Sequence, residues 1–435
     1  MLKAAALTAI VGSLFASNAN AAGFEKSILW GAESAGKAGI ASPYISGSDS
    51  IYFNPAGLAT GKDGHSVGVN VSPTFASFKG PINNQNKEES STSTTFPFGL
   101  TYGYAMGDMG FGLGVFASGG NNVKYDGVDF GLPSGYKPEV KTAIQIVEIS
   151  AGAAYRIDES WKLGLAWRVV MANADFAFAQ RASNALGAGH DAVLNAKLTD
   201  LKDTQAVAFR AGAQYKVSES TDLALTFRSE VNIDAKGKAG GQISSVLSPA
   251  GAANPAMTSS DATVHTTFPM MIGLAGLHKL EDWDLLAQYD FIQYSRVGDV
   301  NIDSNTFAAT GNKTRLKTDW KDQHTVRVAA EYKTPWPVRF GYIFSTQVTN
   351  SDFARASFSG PGPGHAVTLG TGKAFGGEGE GASNFRVDGA VEYTIAEGDV
   401  TTGAAAGTTG TGTDIRNGKH SSSATTVHLG LTYLF

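Results

Sequence analysis

The chain has 435 residues, 42% of them hydrophobic and 17% charged, with 53 glycines, 10% aromatics and no cysteine. Charge is low beside the quarter or so usual in soluble chains, and a net charge of −5 argues against nucleic acid as a partner. Beyond the N-terminal stretch no segment approaches the roughly 18 apolar residues of a membrane helix; the composition instead fits a β-barrel, whose membrane signal is spread over alternate residues.

The N-terminus, "MLKAAALTAIVGSLFASNANAAGFEK", carries one lysine, then a short apolar run, then Ala19-Asn20-Ala21. Charge, apolar core and an A-x-A site predict a secretory signal peptide over 1–21, with the mature chain starting at Ala22. Residues 22–64 lack strand alternation. They hold Gly, Ala and Ser at close intervals with apolar residues at Phe24, Ile28, Leu29, Trp30 and Ile51. Such a segment can pack inside a barrel as a plug, and its apolar residues argue against a disordered tail.

From residue 65 alternation recurs to the end. "HSVGVNV" sets Val67, Val69 and Val71 on one face, "FPFGLTYGYAM" sets Phe98, Leu100, Tyr102 and Tyr104, and "KLGLAWRVV" sets Leu163, Leu165, Trp167 and Val169. Three consecutive strands are expected at 160–177, 204–217 and 220–235, and the whole chain supplies about fourteen, within the range of outer-membrane barrels. Tight connections near 108, 158, 219, 282 and 335 alternate with long ones around 79–94, 119–142, 178–203, 236–261, 303–317, 349–363 and 397–422. Short turns at one end and long loops at the other are the barrel pattern. Tyr102, Tyr104, Trp167, Tyr289, Tyr332, Tyr342, Tyr393, Tyr433 and Phe435 share the apolar parity of their strands. The opposite parity holds Arg168, Arg210, Gln214, Arg228, Glu230, Gln288, Asp290, Arg327, Glu331 and Arg339. Lipid cannot satisfy such groups, so they must face a lumen. The last strand, "TTVHLGLTYLF", is expected to close the barrel with its aromatic end at an interface.

The reading is therefore an all-β transmembrane antiparallel barrel of about 14 strands, with an N-terminal hatch at 22–64 plugging a barrel formed by 65–435. "SAGKAGIA", "DSIYFNPAGLA", "TFPMMIGLAG" and "VRVAAEYKTPWPVRFGYIFS" resemble the long-chain fatty acid transporter family of Gram-negative outer membranes, which includes aromatic-hydrocarbon channels. The resemblance implies a monomeric barrel with a hatch that moves a hydrophobic or amphipathic small molecule inward. It implies that Asn54, Pro55 and Ala56 form the hatch motif against the wall near a kinked strand, and that Phe24 reaches the ligand site. Independently, the aromatic end of the closing strand, Tyr433 and Phe435, is expected to be the C-terminal signal read by the barrel assembly machinery, with outer-membrane lipid around the wall. A general porin or adhesion barrel is the other architecture open to such a sequence.

Arg168, Arg210 and Arg228 are candidate ligand-binding residues. The turn near 219 places Arg210 and Arg228 at one height, with Arg168 about three residues along the neighbouring strand. They either hold the carboxylate of a ligand or form a salt-bridge ladder with Glu230 and other wall acids. "GFGLG" precedes no helix and "GTGKA" lacks the rest of a phosphate loop. No histidine pair has metal-ligand spacing, no serine occupies a G-x-S-x-G elbow, and His278, His324 and His428 suggest no triad. Neither an enzyme nor a cofactor is expected.

Overall fold

The structure is a computed structural model describing residues 31–82, 88–130, 135–182, 192–245, 256–306, 313–350, 353–354, 358–376, 384–400 and 418–435. The expected signal peptide, residues 1–21, and Phe24 lie outside the described residues. The wall segments are β1 (Gly64–Val71), β2 (Thr74–Pro81), β3 (Glu88–Thr95), β4 (Phe98–Met106), β5 (Met109–Tyr125), β6 (Val140–Arg156) and β7 (Trp161–Ala182). They continue with β8 (Ala192–Ser218), β9 (Thr221–Arg228), β10 (Val231–Ser245), β11 (Ser260–Phe268), β12 (Met271–Lys279), β13 (Trp283–Ile292) and β14 (Val300–Ser304). The last are β15 (Lys313–Leu316), β16 (Gln323–Tyr332), β17 (Val338–Ser345), β18 (Gly364–Gly376), β19 (Asn384–Val400) and β20 (Gly418–Leu434).

Fourteen of these close a ring through antiparallel ladders. The order is β1, β4, β5, β6, β7, β8, β9, β12, β13, β16, β17, β18, β19, β20 and back to β1. Closure leaves no edge in lipid. Among the described residues no helix is long and apolar enough to cross a membrane. The remaining six segments are upper continuations of wall strands. β1 breaks into β2 at Ser72-Pro73, β3 into β4 at Phe96-Pro97, and β11 into β12 at Pro269-Met270. Proline removes a ladder donor, and the break falls there.

The belt next to the turns has Leu100, Tyr102, Leu165, Trp167, Leu225, Leu274, Tyr289, Val328, Phe340 and Leu431 exposed outward, while Arg168, Arg210, Arg228, Asp290 and Arg327 are buried inward. The expected faces are therefore present. Above that belt polarity inverts. On β10, Val231, Ile233, Ala235 and Ala239 are buried, and Asn232, Asp234, Lys236 and Lys238 face out. The inversion accompanies parity shifts at Ser229-Glu230, Pro269-Met270 and the β5 bulge between Ala117 and Gly119. The strands here stand in water outside and pack against one another inside. This corrects the sequence reading in two ways. The stretches 119–142, 178–203 and 236–261, expected as loops, contain the upper ends of β5 to β8, β10 and β11. The strand expected at 220–235 is two segments, and Glu230 does not share the parity of Arg228.

Candidate ligand site

Residues 31–63 form no wall strand and fill the lumen. They contain α1 (Ala32–Gly36), α2 (Ser50–Phe53) and a 3₁₀ turn, Pro55–Leu58. Asn54 explains the turn. Its Oδ1 accepts from Ala56 N–H at 3.2 Å, with proline next, where no N–H is required. Its Nδ2 donates to Ser42 O at 3.2 Å and to Ala213 O of β8 at 3.0 Å. Asn54 thus caps the hatch turn and ties it to the wall. The wall answers with glycine. A Cβ on Gly164 would stand 2.3 Å from Pro55 C, one on Gly110 2.1 Å from Leu58 O, and one on Gly212 1.9 Å from Asn54 Oδ1. Asn54, Pro55 and Ala56 meet β7 and β8. Leu58 meets β5, the strand that bends at its bulge.

The opposite side of the hatch is held by charge. Lys37 Nζ lies 2.9 Å from Glu33 and 3.5 Å from Glu331 of β16, and sits 3.8 Å over the Tyr44 ring. Glu33 also meets Arg386 of β19, and Arg339 bridges Glu331 at 2.5 Å and Asp388 at 2.7 Å. Burial pushes the Glu33 carboxyl up, but Lys37, Arg386 and Arg339 outweigh it and hold it well below the usual range. Burial alone would lower Lys37; Glu33, Tyr44 and Glu331 raise it instead. Asp49 accepts from Thr101 at 2.5 Å and Asn70 at 3.2 Å, yet burial dominates and pushes its carboxyl up.

Between these two seats stands the arginine cluster. Arg210 and Arg228 are direct cross-strand partners. Arg168 lies two residues along, not three, because β7 places Ala166 opposite Arg210. Its partner is an acid outside the sequence-derived set. Glu148 of β6 receives Arg168 Nε at 2.8 Å, lies 3.1 Å from Arg210 Nη1, and accepts from Ser150 Oγ at 2.7 Å. Its signal was its place on the lumen parity of "AIQIVEIS". Glu230 instead pairs with Arg296 at 3.2 Å, away from the cluster. Arg210 also donates to the hatch carbonyl of Ile51 at 3.0 Å and lies 4.9 Å over the Tyr52 ring. Arg327 of β16 adds a fourth guanidinium, bonded to Asp290 at 2.9 Å and to the hatch carbonyl of Ala38 at 3.0 Å.

Arg210, Arg228 and Arg327 line a cavity of ≈ 50 Å³ beside Tyr52, Phe53 and Met271 of hatch and wall. Arg168 does not reach it. A larger recess, ≈ 1210 Å³, lies at the turn end below the hatch around Lys62, His65, Arg386 and Phe435. It is the barrel mouth, and its size reflects open solvent. Above the arginines the lumen is apolar, with Val170, Phe176, Leu198, Leu201, Ile233 and Phe268 buried. Trp320 stacks on Phe358 at 5.7 Å, and Tyr294 meets Trp320 edge-on at 5.8 Å. The arrangement offers apolar surface above and cations below.

The wall is weakly joined between β3 and β5. β4 and β5 pair from Met106↔Met109 to Gly99↔Phe116. Above this no ladder joins β3 to β5 among the described residues, and Lys124 N–H donating to Ser91 Oγ at 3.1 Å links them.

One constellation that sequence reasoning missed is Ser72–His428–Glu392, at 2.9 and 3.3 Å. The N–H of Ser72 is spent on Pro97 O at 2.8 Å and so cannot serve an oxyanion. The trio fastens the β1–β2 break to β19 and β20. Among the described residues no group of three or more His, Asp or Glu could hold a metal.

Residues 12–435 match the family described as outer membrane protein transport protein (OMPP1/FadL/TodX). No curated protein matches. The fold is similar to a Pseudomonas aeruginosa FadL homologue, at 14% identity and TM-score 0.72, covering 95% of this chain and 99% of that one. It is similar to the P. putida toluene transporter TodX, at 17% identity and TM-score 0.68, covering 93% and 97%. It is also similar to the Ralstonia pickettii toluene transporter TbuX, at 16% identity and TM-score 0.67, covering 93% and 97%.

Proposed function

We propose, from the fact that the chain belongs to the outer membrane protein transport family OMPP1/FadL/TodX, that its cargo is a long-chain fatty acid moved inward by facilitated diffusion. This is an outer-membrane transporter of hydrophobic compounds, not an enzyme. The observation carrying the fatty-acid reading is the arginine floor beneath an apolar upper lumen. A toluene-like cargo needs only the apolar part. Three guanidinium groups around one cavity suit a carboxylate, to which arginine donates paired hydrogen bonds.

The acyl chain leaves water among the apolar residues of the upper lumen. The carboxylate settles on Arg228 and Arg327, near the Ile51 carbonyl that Arg210 holds and the Ala38 carbonyl that Arg327 itself holds. Competition for those arginines loosens the hatch. The low end of the seam between β3 and β5, beside exposed Phe75 and Phe96 at the upper rim of the outward apolar surface, then offers a sideways exit next to the lipid. An open porin would need the lumen space that residues 31–63 occupy.

The test compares a long-chain fatty acid with an alkylbenzene of equal length, on wild type and Arg228→Gln. Loss of a charge-assisted hydrogen bond should weaken fatty-acid binding by about 1–3 kcal/mol and leave the alkylbenzene unchanged. Equal losses for both ligands, or none, would remove the carboxylate from this site and favour an aromatic hydrocarbon held by Trp320 and Phe358.

A further inference from the structure

Outside the barrel, the apolar surface ends at Ile149 of β6 and Val207 of β8, both strongly exposed. Lys202 stands five residues beyond Val207 along β8, about 12 Å above it at the usual rise and tilt. At this height a recess of ≈ 300 Å³ opens across β5 to β8, lined by Asn122, Lys141, Gln145, Asn173, Asp175 and Lys202 among others. The wall is dented here. Val147, on the outward parity of β6, is buried, and Asp200 takes a left-handed φ of 55° that turns its N–H onto Asp175 Oδ1 at 2.9 Å.

The lining combines amides and lysines with two carboxylates, Asp175 and Asp200. Asn122, Gln145 and Asn173 present amides, with Asn173 Nδ2 donating to Gln145 Oε1 at 3.3 Å and spare donors and acceptors remaining. Lys141 is matched by Asp175 at 3.1 Å. Lys202 is not matched. In register it faces another lysine, Lys236 of β10, and both are exposed. Neither has a carboxylate within ion-pair distance among the described residues. Like charges directly opposite on a sheet destabilise it, and an anion bridging them would reverse that effect.

The recess opens sideways from the outer wall, not into the lumen. Its occupant is therefore a neighbour in the membrane plane, lying above the hydrocarbon layer. We propose that this recess binds the phosphorylated core sugars of lipopolysaccharide, with amides on sugar hydroxyls and a phosphate between Lys202 and Lys236. The site is separate from the cargo route and gives the transporter a fixed glycolipid at its flank.

The full chain in detergent, with EDTA present to remove bridging cations, is titrated with three probes by native mass spectrometry. These are lipopolysaccharide with a phosphorylated core, the same lipid enzymatically dephosphorylated, and the deacylated phosphorylated core oligosaccharide. Wild type should prefer the phosphorylated lipid about tenfold, as expected of charge-assisted contacts, and K202Q/K236Q should abolish that preference. Asn173→Leu should weaken both lipids alike. All three positions are at least partly exposed, and heat-modifiable gel mobility confirms folding. Equal binding of the first two probes to wild type, or no effect of either variant, overturns the site. Oligosaccharide binding as tight as the intact lipid overturns its assignment to lipopolysaccharide.

Discussion

Gly164→Ala tests whether the hatch is seated by wall glycines. The new methyl would lie 2.3 Å from Pro55 C, 2.4 Å from Ala56 N and 2.6 Å from Pro55 O. All three are backbone atoms, so no side-chain rotation relieves the contact. Gly164 does not use a left-handed φ, and the wall accepts alanine without strain; the conflict falls on the hatch. Restoring ordinary contact moves the Pro55–Ala56 peptide by about 1 Å. That displacement disrupts Asn54's hydrogen bonds to Ala56 N, Ser42 O and Ala213 O, at 3.2, 3.2 and 3.0 Å. At about 0.5–1.5 kcal/mol each, the seat loses roughly 1.5–4.5 kcal/mol, and the population with a displaced hatch rises about tenfold or more. Planar-bilayer conductance is the assay, with Gly240→Ala as control, since its nearest neighbour would be 3.8 Å away. The variant should conduct small ions in bursts absent from wild type and control, with unchanged gel mobility before boiling. A folded Gly164→Ala barrel as silent as wild type would refute the seating argument.

Deleting residues 23–60 should leave a barrel that assembles and leaks small polar solutes, because every wall ladder remains; liposome swelling measures it. Phe435→Ala should lower outer-membrane insertion more than the stability of barrel already formed. Phe435 is half exposed and its ring stacks on His65 at 5.2 Å and Tyr433 at 5.1 Å, outside the lumen; equal insertion yield would remove its role as an assembly signal. Glu33, with a carboxyl pKa lowered in the folded chain, stabilises hatch docking above its unfolded value near 4.3 and loses that contribution as pH falls through the lower folded value. Asp49, with a raised pKa, acts with the opposite sign, favouring docking at low pH and losing that as pH rises through its folded value. Conductance of Asp49→Asn should therefore show only the acid-side opening, and that of Glu33→Gln should not show it; identical pH profiles would exclude both groups.

The sequence by itself determined what depends on neighbours in the chain. Alternation at Leu163, Leu165 and Trp167 against Gly164 and Arg168 reports lipid on one side and a lumen on the other, because strand period is local. A short turn sets the register of its hairpin, so Arg210 and Arg228 were correctly brought level. Arg168 came out one residue too far, since its register depends on the longer β7–β8 pairing with its bulges. The signal weakened above the membrane, where water replaces lipid outside and packing replaces charge inside. Strand ends there looked like loops. Contacts across the lumen were decided only by closure of the ring. Nothing local ties Glu148 to Arg210, Glu33 to Arg386, or Gly164 to Pro55. Those pairs meet because fourteen strands fix a lumen of one width, and the hatch fits where opposing walls offer missing side chains on one side and countercharges on the other.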